Sequence, residues 1–180
     1  MDKNTSPFKA FLYGMGFGAF LMFLLLLPTT VQASDENGQA VCLAKNIYFE
    51  AGNQPLAGKV AVAQVVLNRM EHSAYGDTVC DVVYQGKHYA SGHPKRDRCQ
   101  FSWYCDGKHD TPYPGPTWKR TQELATWFYD NKDSIKDITD GALYYHADYI
   151  PDPRWAVSKK TQKTVQIDTH IFYARKEFMF

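Results

Sequence analysis

Residues 39–51 carry the clearest periodicity in the chain. Val41, Leu43, Ala44, Ile47, Tyr48 and Ala51 recur at helical spacing. Gly52-Asn53 supplies a stop, and Pro55 fits the first turn of a following helix. Residues 55–70 are apolar nearly all round, with Val60, Ala61, Val62, Ala63, Val65, Val66 and Leu67 in close succession. A helix of that kind belongs in the middle of a domain. Its β-branched residues would also suit a strand, but length and the preceding proline select the helix. Residues 71–115 lose the periodicity and are rich in Gly, Pro, His and Asp. They read as a long irregular segment with one short helix near 79–84, and long loops of this kind are commonly functional. A third helix is predicted over 118–131, with Trp118, Leu124, Ala125 and Phe128 as its apolar set. Strands are predicted over 142–147 and 165–173. In the second, Val165, Ile167, Thr169, Ile171 and Tyr173 alternate with Gln166, Asp168, His170 and Phe172. The pattern is that of a mainly α protein with a small β-hairpin or sheet, an α+β fold with one core.

The first 33 residues follow a different rule. Lys3 and Lys9 precede an uncharged run over 10–27, Pro28 ends it, and Val31-Gln32-Ala33 has the small-x-small form of a signal-peptidase site. The run is also about as long as a membrane span. Residues 1–33 are therefore expected to be a signal peptide or an N-terminal membrane anchor through residues 10–27, followed by a single domain over 34–180 that begins with a polar leader, 34–38. Either way the domain is expected outside the cytoplasm, in the periplasm or cell envelope. Without residues 1–33 the chain balances 18 basic against 18 acidic side chains. That balance gives no global footprint for nucleic acid. A monomer is expected.

All four cysteines, Cys42, Cys80, Cys99 and Cys105, lie beyond the signal. An even count in an exported chain points to disulfides. Of the three pairings, Cys99–Cys105 with Cys42–Cys80 is preferred, because the first would staple a short loop. A zinc site is the rival reading, but no Cys-x2-Cys spacing supports it.

Glu50 is the first candidate for chemistry. It falls at the predicted C-terminal end of an apolar helix, where the helix dipole and apolar neighbours both disfavour its charged form. A carboxyl held protonated near neutral pH is what a glycosidase needs as general acid. The competing reading is a surface glutamate at a helix end. Gln64 and Asn68 stand four apart on the apolar helix and are candidates for orienting Glu50, or for a polar stripe meeting solvent. The stretch from Cys99 to Cys105 holds Gln100, Phe101, Ser102, Trp103 and Tyr104, a composition that suits a sugar subsite or a stapled loop on the core. His146 and His170 lie on the two predicted strands and could face each other, but no His-Glu-x-x-His spacing marks a metal site. No cofactor is expected.

Leu43-Ala44-Lys45-Asn46-Ile47-Tyr48-Phe49-Glu50-Ala51, followed by 58–69 (GKVAVAQVVLNR), resembles the signature of the SleB-type, spore-cortex-lytic cell-wall hydrolases. Further blocks match in order: Thr78-Val79-Cys80-Asp81-Val82-Val83-Tyr84, Cys99-Gln100-Phe101-Ser102-Trp103, Gly141-Ala142-Leu143-Tyr144-Tyr145-His146 with Trp155 beyond, and Thr169-His170-Ile171-Phe172-Tyr173. The cysteines make it look like the branch from Gram-negative bacteria and their phages. The resemblance implies a lysozyme- or lytic-transglycosylase-like domain. It further implies cleavage of peptidoglycan between N-acetylmuramic acid and N-acetylglucosamine, with Glu50 as the acid. The family's usual Arg-Gly-Glu-Pro is Gly52-Asn53-Gln54-Pro55 here, and its Gly-Gln before the second helix is Gly58-Lys59. Gln100, Phe101, Ser102, Tyr144, His146 and Tyr173 are then the expected sugar-binding residues. A two-carboxylate hydrolase would need a base, for which Asp81, Asp97 and Asp106 are candidates. With one carboxyl, the muramic 6-hydroxyl becomes the nucleophile. The alternatives are a zinc-dependent N-acetylmuramoyl-L-alanine amidase and a non-catalytic peptidoglycan-binding protein.

Overall fold

The computed structural model describes residues 31–176, with side-chain environments from Gly38 onward. The candidate signal or anchor over residues 10–27 lies outside the described residues. Among those described, no helix is long and apolar enough to cross a membrane. Among the described residues, 35–176 form one compact unit.

The elements in order are α1 (Val31–Ala51), α2 (Leu56–Met70), α3 (Val79–Val83), β1 (Gly86–His88), β2 (Pro94–Cys99), a 3-10 turn (Ser102–Cys105), α4 (Pro116–Asp130), a second 3-10 turn (Lys132–Ser134), β3 (Tyr144–Ala147), β4 (Thr161–Ile167) and β5 (His170–Arg175). The predicted polar leader, 34–38, is helical and belongs to α1. Helix α1 stops at Gly52, where any Cβ would collide with the Tyr48 carbonyl. That leaves Glu50 in the last turn, as the sequence predicts.

Helix α2 is apolar all round because it is covered on two sides. Ala63, Val66 and Leu67 join Leu43 and Ile47 of α1, the valines of α3, Phe101, Trp103, and Ala125 and Phe128 of α4. Ala61 and Val65 instead pack on Ala142 and Phe172 at the sheet. The predicted disulfides Cys42–Cys80 and Cys99–Cys105 both form. The first ties α1 to α3, and no described cysteine is free.

Two predictions need correction. The irregular segment over 71–115 contains the β1–β2 hairpin, an antiparallel pair separate from the main sheet. Its sequence, GKHYASGHPKRDRC, is too charged to show strand alternation. The single strand predicted over 165–173 is two strands. Asp168 adopts a positive φ of 51°, and the chain turns there between β4 and β5. Asp tolerates the left-handed region better than most residues. After the turn, His170 and Phe172 are buried on one face of β5 and Tyr173 on the other, while Thr169 and Ile171 are only partly buried. The resulting antiparallel sheet has the order β3-β5-β4.

The turn also has a structural use. Asp168 Oδ2 accepts from the Gly58 backbone N–H at 2.8 Å, in the first turn of α2. This supplies a carboxylate cap to a helix whose own N-cap, Pro55, has none. A Cβ at Gly58 would sit 2.8 Å from that same oxygen. A Gly58→Ala variant is expected to lose the contact and to cost about 1 kcal/mol, measurable by urea denaturation.

Candidate active site

Glu50 reaches the wall of a cavity of about 680 Å³ lined by groups from α1, the stapled loop, the sheet and the segment 149–155. The Tyr145 hydroxyl donates to Glu50 Oε2 at 3.0 Å. Burial pushes the Glu50 pKa above the ordinary carboxylate value, and it outweighs the Tyr145 hydrogen bond and the charge of Arg69, both of which pull it down. Tyr145 is driven upward in turn, mainly by burial and then by the carboxylate beside it, so its phenol stays protonated.

Arg69 supplies a buried positive charge beside this pair. Its Nε donates to the Leu143 carbonyl at 2.8 Å, and its guanidinium lies over Phe101 at 4.7 Å and Tyr75 at 5.2 Å from the ring centroids. The aromatic faces partly replace water around a cation that makes no close ion pair with any described carboxylate.

The stapled loop is fixed to α1 through Trp103. Its Nε1 donates to Asn46 Oδ1 at 3.0 Å, and its ring stacks on Phe49 at 4.7 Å between centroids. That places Ser102 and Asp106 on the cavity wall with Glu50. On the other side, His146 donates from Nδ1 to the Ala147 carbonyl. Its Nε2 lies 3.1 Å from the Tyr173 hydroxyl and 3.5 Å from Asp152. Trp155 packs edge-on against both rings.

The predicted site residues therefore divide. Glu50, Ser102 and His146 line one cavity. Tyr173 supports it from behind, through His146. Phe101 is 2% exposed and belongs to the core under Arg69. Gln100 is exposed and does not line the cavity. Tyr144 packs on Trp155 and does not itself line the cavity. Among the described residues neither amide hydrogen-bonds to Glu50, whose partner is Tyr145. Asn68 donates to Asp137, Thr139 and the Ala142 carbonyl, fixing the loop that leads into β3, and Gln64 lines a separate cavity beside it. Asp137 is half-buried, but the hydrogen bonds from Thr139, Gly141 and Asn68 outweigh that and hold its carboxyl below the usual range.

Of the three candidate bases, Asp81 caps α3 with Thr78 and Asp97 sits on the exposed hairpin. Asp106 alone of the three lines the cavity, where it accepts from the Lys108 N–H. His146 and His170 do not face each other. Register pairs His146 with Ile171 and Ala147 with His170, so the two imidazoles leave opposite faces of the sheet. Among the described residues, no group of three or more His, Cys, Asp or Glu side chains is arranged to hold a metal.

Tyr145 and Arg69 were not singled out from sequence. Tyr145 was hidden by the choice of Tyr144 and His146, its neighbours in the same block. Strand alternation puts those two on one face and Tyr145 on the other, which is the face that meets α1. Replacing Tyr145 with Phe removes a donor that favours the Glu50 carboxylate, so the Glu50 pKa should rise further. In any reaction that uses Glu50 as an acid, the alkaline limb of the pH–rate profile is then expected to move to higher pH. An unmoved limb would place the titrating group elsewhere.

Comparison with known proteins agrees with this architecture. The Cell Wall Hydrolase family model matches residues 53–173, beginning three residues after Glu50. A spore cortex-lytic enzyme from Oceanobacillus iheyensis is 37% identical over 136 residues, covering 72% of this chain and 39% of that protein. Another from Halalkalibacterium halodurans is 35% identical over 57 residues, covering 32% of this chain and 17% of that protein. The chain thus spans well under half the length of the curated relatives it matches. The crystal structure of the catalytic domain of the Bacillus cereus SleB protein superposes with a TM-score of 0.51 at 26% identity, over 75% of this chain and 89% of that domain. By the extent of the family match, the chain belongs to the cell wall hydrolase family.

Proposed function

We propose that the domain cleaves peptidoglycan glycan strands between N-acetylmuramic acid and N-acetylglucosamine as a lytic transglycosylase, with Glu50 as its single acid and base. The observation that carries this reading is a glutamate whose pKa is raised by burial, hydrogen-bonded to Tyr145 at the wall of a large cavity. The family membership and the blocks around Glu50 supply the substrate class. Protonated Glu50 gives its proton to the glycosidic oxygen as the bond to muramic C1 breaks. The muramic 6-hydroxyl oxygen bonds to C1, and its proton passes to the Glu50 carboxylate, which restores the acid. The product is a 1,6-anhydro ring, and no water is consumed. Ser102 and His146 contact sugar, and Trp155 with Tyr173 holds His146 in place.

Asp106 is the remaining carboxylate of interest, because a hydrolase would use a second one. Its engagement by Lys108, at N–H and through Nζ at 3.5 Å, favours a structural role. Mass spectrometry of fragments released from purified sacculi tests the proposal. Muropeptides ending in 1,6-anhydromuramic acid are expected, in the presence of EDTA as in its absence. Reducing muramic ends, together with a loss of about 100-fold or more in Asp106→Asn, would make the domain a hydrolase with Asp106 as base. Activity lost in EDTA and restored by zinc would make it an amidase. Binding to sacculi without release of fragments would make it a non-catalytic module.

A further inference from the structure

The β1–β2 hairpin takes no part in the core or in the cavity, yet its charge is concentrated. Between Gly86 and Cys99 it carries Lys87, Lys95, Arg96 and Arg98 against the single anion Asp97, while the whole chain has a net charge of only +1. The strand pairing concentrates these cations further. Gly86 pairs with Cys99 and His88 with Pro94, so Lys87 alone opposes the four residues Lys95 to Arg98. The excess residues bulge outward, with Asp97 at a positive φ of 57°. Lys87, Arg96 and Arg98 are exposed, and Lys95 lies over the Tyr89 ring at 5.2 Å. The one ion pair within the bulge, Arg96 with Asp97, spans 3.8 Å with both side chains about three-quarters exposed, so it neutralises little.

The bulge also leans towards the active site. Its base is fixed by the Cys99–Cys105 disulfide and by the contact of His88 with the Tyr104 hydroxyl. The Arg96 guanidinium lies within 4 Å of where a Cβ on Gly107 would stand. Gly107 falls between Asp106 and Lys108, both on the cavity wall. Cationic side chains thus run from the hairpin to the cavity rim through Arg96 and Lys108.

We propose that this hairpin is a second substrate contact, one that takes the free carboxylates of the peptide stems on the glycan strand held at Glu50. The inference rests on the functional reading above, which makes the substrate a sugar polymer with anionic side branches. Guanidinium and ammonium groups pair with carboxylates at long reach and attract them from a distance. Placed beside the cleft, they hold the strand by its branches while the cavity holds the sugars.

The test uses the full chain and a triple charge reversal, Lys87→Glu/Arg96→Glu/Arg98→Glu, with the neutral triple Lys87→Gln/Arg96→Gln/Arg98→Gln as a check on folding. Two substrates are compared: untreated sacculi, and sacculi whose carboxyls are converted to neutral amides with carbodiimide and ethanolamine. On untreated sacculi the charge reversal is expected to raise the apparent KM roughly tenfold at unchanged kcat. The neutral triple should fall between it and the wild type, and amidated sacculi should erase the differences. Added NaCl should weaken the wild type on untreated sacculi far more than the charge-reversed protein. Equal kinetics for all three proteins on untreated sacculi would overturn the proposal, as would a defect that persists on amidated sacculi. Loss of binding to phosphatidylglycerol vesicles with unchanged sacculus kinetics would assign the hairpin to a lipid surface instead. Should the wild type release no fragments at all, the functional reading fails while the hairpin stays testable. Co-sedimentation with the two sacculus preparations then reads the same carboxylate dependence.

Discussion

Replacing Glu50 with Gln is expected to lower release of soluble fragments from sacculi by about 10³-fold, the usual worth of a positioned proton donor. The amide has nearly the volume of the carboxyl and can still accept from Tyr145, so circular dichroism should be unchanged. The same variant makes a second reading available. Because burial raises the Glu50 pKa, the folded state favours the neutral form. The stability this gives is fully present below the ordinary glutamate pKa and is lost as pH rises through the folded value. Glu50→Gln stays neutral throughout. Its melting temperature should match the wild type in acid and exceed it at neutral pH and above. Fragment release within a few-fold of wild type would remove Glu50 from the chemistry. A melting difference independent of pH would show that its carboxyl is not desolvated as the cavity geometry implies.

The second large effect is expected at Cys42–Cys80, which closes a separation of 38 residues and joins the helix that carries Glu50 to α3. Loop-closure entropy for a ring of that size predicts a loss of about 4 kcal/mol when both are replaced by Ser. For a domain of this length that is a fall in melting temperature of about 10 °C. Cys99–Cys105 closes only 6 residues, so its removal should cost less and act mainly on the stapled loop. If the two double variants melt alike, disulfide stabilisation here does not follow ring size. A thiol titration of the denatured, air-oxidised chain should find no reactive group.

The three main helices were legible because each buries a continuous apolar face, and burial leaves a period in the sequence. The β1–β2 hairpin was not, because it buries almost nothing and has no period to show. The β4–β5 turn was hidden for a subtler reason. Asp168-Thr169 continues the polar–apolar alternation of its neighbours, so only the backbone reversal at a positive φ separates two strands from one. At the site, Glu50 could be read from local signals: a helix end, apolar neighbours and a following glycine. Its partners could not. Tyr145 lies 95 residues away, and Arg69 looks from sequence like the solvated end of α2, although it is almost wholly buried. Phe101 erred in the other direction. It lies beside the cavity-lining Ser102 in a block that suggests sugar binding, yet it serves the core.

The cap that Asp168 provides to α2 has a consequence for the order in which the protein matures. Synthesis runs from the N-terminus, so α1 and α2 leave the ribosome long before the residues that complete them. Gly58 waits 110 residues for its acceptor, and Glu50 waits 95 for Tyr145. Until β3 docks, Glu50 lacks the hydrogen bond that Tyr145 donates to it. A nascent chain that has not yet made β3 holds Glu50 without its Tyr145 donor. The surroundings of Glu50 are therefore completed by strands made long after the helix that carries it.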